Sequence, residues 1–151
     1  MNRIAKAFAL GATALGATTL ATAVAAPADA VPSNHSVYVA QNCEGLSPNI
    51  IDIPYYGGMS VTQEQSGTIN IHYGNPSVWG YRSVGTMSWK NLRTGAHGTL
   101  PLKVDHSLGS NGFGALLKSG TGTIRLTTRA VNHGPLLTLA APTCSGTVHA
   151  R

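Results

Sequence analysis

A five-residue phrase recurs along this chain, beginning at Gly67, Gly85, Gly98, Gly122 and, more weakly, Gly146: glycine, threonine, apolar, any residue, apolar. Its apolar positions stand two apart, and a two-residue period sends them to one face of a β-strand and their neighbours to the other. Ile69 with Ile71, Met87 with Trp89, Leu100 with Leu102, and Ile124 with Leu126 are therefore expected as inward pairs. Glycine lets the chain leave a turn at backbone angles closed to other residues, and β-branched threonine restarts the pleat. A helix would lose about 1 kcal/mol at each such glycine, so the repeat argues for strands.

Taken in order, the sequence predicts strands over residues 36–40, 50–53, 59–61, 69–73 and 78–81, a hairpin over 85–102, and further strands over 123–131, 136–140 and 147–150. Tyr55, Tyr56, Gly57 and Gly58 read as a turn, while residues 115–117 fit either a strand or one helical turn. Within the hairpin, Thr94 and Gly95 mark the tightest point. Pro101 cannot donate to a ladder, which assigns its arm to a sheet edge or a bulge. Residues 105–114, rich in Gly, Ser and Asn, form the longest predicted loop. About eight to ten short strands at such spacing are the pattern of an all-β, antiparallel β-sandwich, immunoglobulin-like or related.

Residues 1–30 begin with Arg3 and Lys6, continue as a run of small apolar residues and close on Ala28, Asp29 and Ala30. That is the layout of a secretory signal peptide, and it leaves residues 31–151 as one domain. Glycines and threonines dilute the apolar run, so no membrane span is expected after cleavage. Of the ten basic and five acidic residues, removal of Arg3, Lys6 and Asp29 leaves eight and four, a net charge of +4. This excess is too thin for nucleic acid, which requires a dense basic patch, but it suits an anionic or polysaccharide polymer of the cell envelope, or lipid headgroups, as neighbour. Two cysteines, Cys43 and Cys144, remain in a chain bound for an oxidising compartment, and one disulfide tying the two ends of the domain is expected. The predicted location is accordingly secreted, either extracellular or at the envelope.

Trp89-Lys90-Asn91-Leu92-Arg93-Thr94-Gly95-Ala96-His97-Gly98-Thr99, with the later Gly120-Thr121-Gly122-Thr123, resembles segments of small exported β-sandwich proteins of actinobacteria. The resemblance implies export and a β-sandwich and brings no catalytic residue with it.

Recognisable chemistry is sparse. Six histidines, at 35, 72, 97, 106, 133 and 149, show no local metal-ligand spacing, so neither a metal nor another cofactor is expected. Asp105 and His106 are adjacent and would point to opposite faces of a strand. No Gly-x-Ser-x-Gly elbow is present, and residues 112–119 approach a phosphate loop but place Leu117 where its second glycine must stand. Of the four carboxylates after residue 30, Glu44, Asp52, Glu64 and Asp105, Asp52 with Glu64 is a conceivable pair for glycoside hydrolysis.

Two features stand out as binding candidates. Tyr55, Tyr56, Tyr73, Trp79 and Tyr81 would make a platform for sugar rings if exposed on one face, and core or core-edge residues otherwise. Arg125 and Arg129, flanking Thr127, would form a stripe on the outer face of a strand, suited to phosphate or carboxylate groups. The expectation is a non-enzymatic binding or structural protein. A glycan-binding module and a small hydrolase with a site assembled across strands are the alternatives.

Overall fold

The computed structural model describes residues 36–109 and 112–151; the predicted signal peptide and the leader to His35 lie outside the described residues. Nine strands follow in order: β1 Ser36–Gly45, β2 Tyr55–Gln65, β3 Thr68–Tyr73, β4 Tyr81–Asn91, β5 His97–His106, β6 Phe113–Lys118, β7 Gly122–His133, β8 Thr138–Ala140 and β9 Cys144–Ala150. One sheet has the order β1-β2-β3-β6; the other runs β5-β4-β7, and both β8 and β9 pair with β7. Every pairing is antiparallel. The β4–β5 hairpin lies in one sheet while β3 and β6, which flank it in sequence, pair in the other. This nested path makes an antiparallel two-sheet sandwich in which the hairpin of one sheet is enclosed in sequence by neighbouring strands of the other.

The inward pairs of the repeat form the core. Ile69, Ile71, Met87, Leu102, Ile124 and Leu126 are buried, with Met59 and Val61 from β2, while Trp89 and Leu100 pack against them at its margin. Each full burial of such a side chain contributes about 1.5–3 kcal/mol. Pro101 lies on β5, the edge strand that the missing donor requires.

A buried polar seam crosses the interior. The Gln41 side-chain amide donates to the carbonyls of Leu126 and Cys144, and its oxygen accepts from Thr128 Oγ1 at 3.1 Å. The Tyr55 and Tyr73 hydroxyls bond to each other, and burial pushes the pKa of both upward. Cys43 on β1 and Cys144 on β9 are bonded, with Cα atoms 5.7 Å apart, which joins the two sheets and belongs to an oxidising, non-cytoplasmic setting.

The structure corrects four expectations. Residues 105, 106, 113 and 114 belong to β5 and β6, so the connection between them is shorter than predicted and the one between β1 and β2 is longer. Residues 50–53 are loop and not strand, because Ile50 has a φ of 60° and the neighbouring amides bond to Asp52 and to the loop itself. Tyr55, Tyr56, Gly57 and Gly58 are strand and not turn. A side chain at Gly57 would occupy the place of the disulfide sulfurs, and one at Gly58 would meet the Tyr38 phenol, so these glycines record close approach within a sheet. Residues 78–80 belong to the loop before β4. Residues 115–117 resolve as part of β6.

Candidate functional site

Alternation along β4, β5 and β7 places even-numbered residues of β4 and odd-numbered residues of β5 and β7 on the outer face of the five-stranded sheet. Arg125 and Arg129 stand there, as the stripe predicted, with Lys90 and Lys103 as additional exposed cations. Lys90 lies directly opposite His97 on one side and Arg125 on the other, so three basic side chains form one row across three strands. The next row is hydroxylic: Thr99, Ser88, Thr127 and Ser145, the last two bonded at 2.8 Å. Ser88, Lys90, His97, Thr99, Arg125 and Thr127 line a shallow groove of about 430 Å³. Among the described residues the one ion pair is Arg82 with Asp105, at 2.6 Å, which occupies the only carboxylate on this face. Nothing local in the sequence marks Lys90 and Lys103, because their shared face depends on cross-strand register.

The aromatic set does not assemble into one platform. Tyr55, Tyr73 and Tyr81 are interior residues, whereas Tyr56 lies on the outside of β2 and Trp79 projects from the β3–β4 loop. An exposed aromatic outside that set is Tyr38, whose phenol covers Gly58 on the outer side of β2. Asp52 precedes β2 and Glu64 lies near its far end, about 30 Å away at the rise of an extended strand, so they do not converge across a cleft.

One constellation resembling hydrolase chemistry emerges only in three dimensions. His106 Nε2 is 2.8 Å from Ser83 Oγ, which is 2.6 Å from Asn132 Oδ1, and His106 Nδ1 is 2.9 Å from the Asn75 carbonyl. Tyr81 stacks on the imidazole at a centroid distance of 4.1 Å. Ser83 is 0% and His106 1% exposed, so the hydroxyl has no face open to a substrate. The group acts as an internal clamp between the β3–β4 loop and three strands. Sequence spacing could not reveal it, since Ser83, His106 and Asn132 meet only through the register of β4 with β5 and β7.

Burial lowers the His106 pKa; the Asn75 carbonyl and Asp105 pull it upward by less. With the folded value below that of an unfolded histidine, about 6.5, the unfolded chain takes up the proton first as pH falls. Stability from this group is complete above about pH 6.5 and declines as the pH drops from there toward the folded value. The urea midpoint is expected to hold between pH 7 and 8 and to fall between pH 7 and 5, with the decline reduced in His106→Gln.

A second hub is Asp52. Its carboxylate accepts from the side chains of Asn49 and Ser77 and from the amides of Ile53, Val78 and Trp79, joining the β1–β2 and β3–β4 loops. Partial burial works to raise its pKa, but the bonds from Ser77, Asn49, Val78 and Ile53 outweigh it and hold the carboxyl well below the usual carboxylate range. Asn49 also donates to the Gly80 carbonyl at 3.1 Å. Asp52 is thus an ionised structural anchor.

Among the described residues, no three His, Cys, Asp or Glu side chains gather as a metal site would require. No protein-family model, curated protein or solved structure matches this chain.

Proposed function

We propose that residues 31–151 form an exported, non-catalytic binding module whose five-stranded sheet takes a linear anionic polymer of the cell envelope against its outer face. The observation that carries this reading is the row His97, Lys90 and Arg125. Like charges directly opposite one another on neighbouring strands destabilise a sheet, with Cβ atoms only about 5 Å apart. No carboxylate partners Lys90 or Arg125 among the described residues. A polymer bearing phosphodiester or carboxylate groups supplies the missing counter-charge, arginine and lysine being suited to such groups, and the adjoining Ser/Thr row offers hydrogen bonds to its hydroxyls.

The proposal separates binding from stability in an unusual direction. Lys90→Thr combined with Arg125→Thr removes the repulsion, so the unfolding free energy should stay level or rise by about 0.2–1 kcal/mol. The same variant should bind soluble poly(glycerol phosphate) at least tenfold more weakly, measured by calorimetry at moderate salt. Unchanged affinity would refute the assignment of this face. A clear loss of stability in that variant would show that the basic row is a structural feature after all.

A further inference from the structure

The opposite poles of the sandwich differ in chemistry. Residues 46–54, 74–80 and 134–137 form loops at one pole and contain no lysine, arginine or glutamate; Asp52, their one carboxylate, is engaged by five donors. From these loops project Leu46, Ile50, Ile51, Val78, Trp79 and Leu136, each between 58% and 81% exposed. The loops are built into one another: Asp52 and Asn49 bind the 74–80 loop, and Asn49, Ile51, Trp79, Pro135 and Leu136 enclose a common apolar hollow. Glu64, Lys90, Arg93, Lys118 and Arg151 lie toward the other pole.

Two further observations say what such a crown meets. Loop-tip amides ordinarily turn to water, yet among the six projecting residues those of Ile50, Ile51, Val78 and Trp79 donate to groups within the loops, as do those of Ile53, Gly80 and Gly134, leaving the amides of Leu46 and Leu136 to the solvent side. Internal satisfaction of backbone donors is what entry into hydrocarbon requires, because an unpaired amide there costs several kcal/mol. Ile50 moreover holds a φ of 60°, a conformation costly for a β-branched residue, and it presents its side chain outward. An apolar residue kept exposed at the expense of backbone strain is the reverse of what solubility selects.

We infer that this crown inserts into the interfacial region of an anionic phospholipid bilayer. Trp79 is suited to the boundary between hydrocarbon and headgroups, where an indole is favoured. Lys103 sits on β5 about 10 Å behind the crown, by the rise of a strand, and Arg129 lies farther back on β7. Near the crown Arg82 and Asp105 neutralise each other and Glu44 offsets one cation, so Lys103 and Arg129 leave a net excess of one positive charge facing the lipid phosphates, which favours an anionic bilayer over a neutral one. This surface is distinct from the His97, Lys90 and Arg125 row, so either assignment can fail without the other.

The test uses the disulfide-bonded protein spanning residues 31–151, which contains the entire described core and both cysteines. Vesicles of phosphatidylcholine and phosphatidylglycerol at 3:1 are compared with phosphatidylcholine alone, and Trp79 emission is read in a Trp89→Phe background. The expected result is stronger sedimentation with the anionic vesicles, a blue-shifted Trp79 spectrum and quenching by acyl-chain-brominated lipid. Ile51→Ser with Leu136→Ser should lower partitioning at least tenfold while leaving poly(glycerol phosphate) affinity unchanged. If Trp89→Phe does not fold, the quenched component of the parent protein should vanish in Trp79→Ser. Three results would overturn the inference: no partitioning into either vesicle, partitioning without Trp79 quenching, or a concentration-dependent dimer abolished by Ile51→Ser in a protein that ignores vesicles.

Discussion

Replacing Cys43 and Cys144 together with alanine is expected to lower the unfolding free energy by about 3–5 kcal/mol. The bond closes a segment of 101 positions between β1 and β9, and the chain-entropy relation gives about 4.7 kcal/mol for a loop of that size. A domain of this length has about 5–15 kcal/mol in total, so the loss removes a large share of its stability. Gly57 provides an internal check on the cause. A Cβ there would overlap the sulfur of Cys43 and lie 2.6 Å from that of Cys144. Gly57→Ala should therefore cost about 3 kcal/mol in the oxidised protein, an overpacking penalty at the upper end of its usual range. In the cysteine-free background both sulfur overlaps disappear and only the 2.9 Å approach to the Cβ of residue 144 remains, so the penalty should fall without vanishing. Urea unfolding of the four proteins forms a double-mutant cycle; additive costs would show that Gly57 answers to some other constraint.

The second large effect is expected at Asp52. Asp52→Ala leaves Ser77, Asn49, Ile53, Val78 and Trp79 without their shared acceptor. Hydrogen bonds to an ionised group are worth about 1.5–3 kcal/mol each, and solvent reaches part of this site to replace some of them, so a net loss of about 2–4 kcal/mol is expected. Because the folded pKa lies below the unfolded one, near 4, the unfolded carboxylate is protonated first as the solution is acidified. The stabilisation is complete above about pH 4 and is lost on further acidification, a window well separated from the decline that begins near pH 6.5 for His106. Asp52→Asn should flatten the acidic limb of the urea midpoint and leave the histidine limb in place. It should also loosen the crown, reducing vesicle partitioning even though no apolar residue is changed.

The repeat made much of the architecture legible because strand alternation is a local property. Each inward pair from Ile69 to Leu126 is buried or packs on the core, and the β4–β5 hairpin was readable from its arms. Misreading began where a neighbour distant in sequence dictates the residue. Gly57 and Gly58 looked like turn-formers, but the disulfide and Tyr38 require them to be small within a strand. Within the repeat itself, Gly98 accommodates the Trp89 indole, and Gly146 accommodates Val39 and the Ala40 carbonyl from the other sheet. Ile50, Ile51 and Ile53 carried strand letters, yet Asp52 draws the neighbouring donors into a loop hub.

The candidate site divides in the same way. Arg125 and Arg129 were legible because both belong to one strand, whereas the companion Lys90 and the opposing His97 depend on register across strands. Tyr55, Tyr73 and Tyr81 could not be distinguished from Tyr56 and Trp79 by residue type, since an aromatic ring suits either an interior or a binding surface. The interior Ser83 and His106 pair likewise depends on strand pairing, and its burial decides that it clamps the fold.

The most direct test of the central claim is an amide chemical-shift titration of the ¹⁵N-labelled, disulfide-bonded domain with soluble poly(glycerol phosphate). Perturbations should cluster on β4, β5 and β7 around Lys90, His97, Thr127 and Arg125, fade with added salt, and leave the Asp52 loops unmoved. Shifts confined to β1, β2, β3 and β6, or no shifts at low salt, would contradict it.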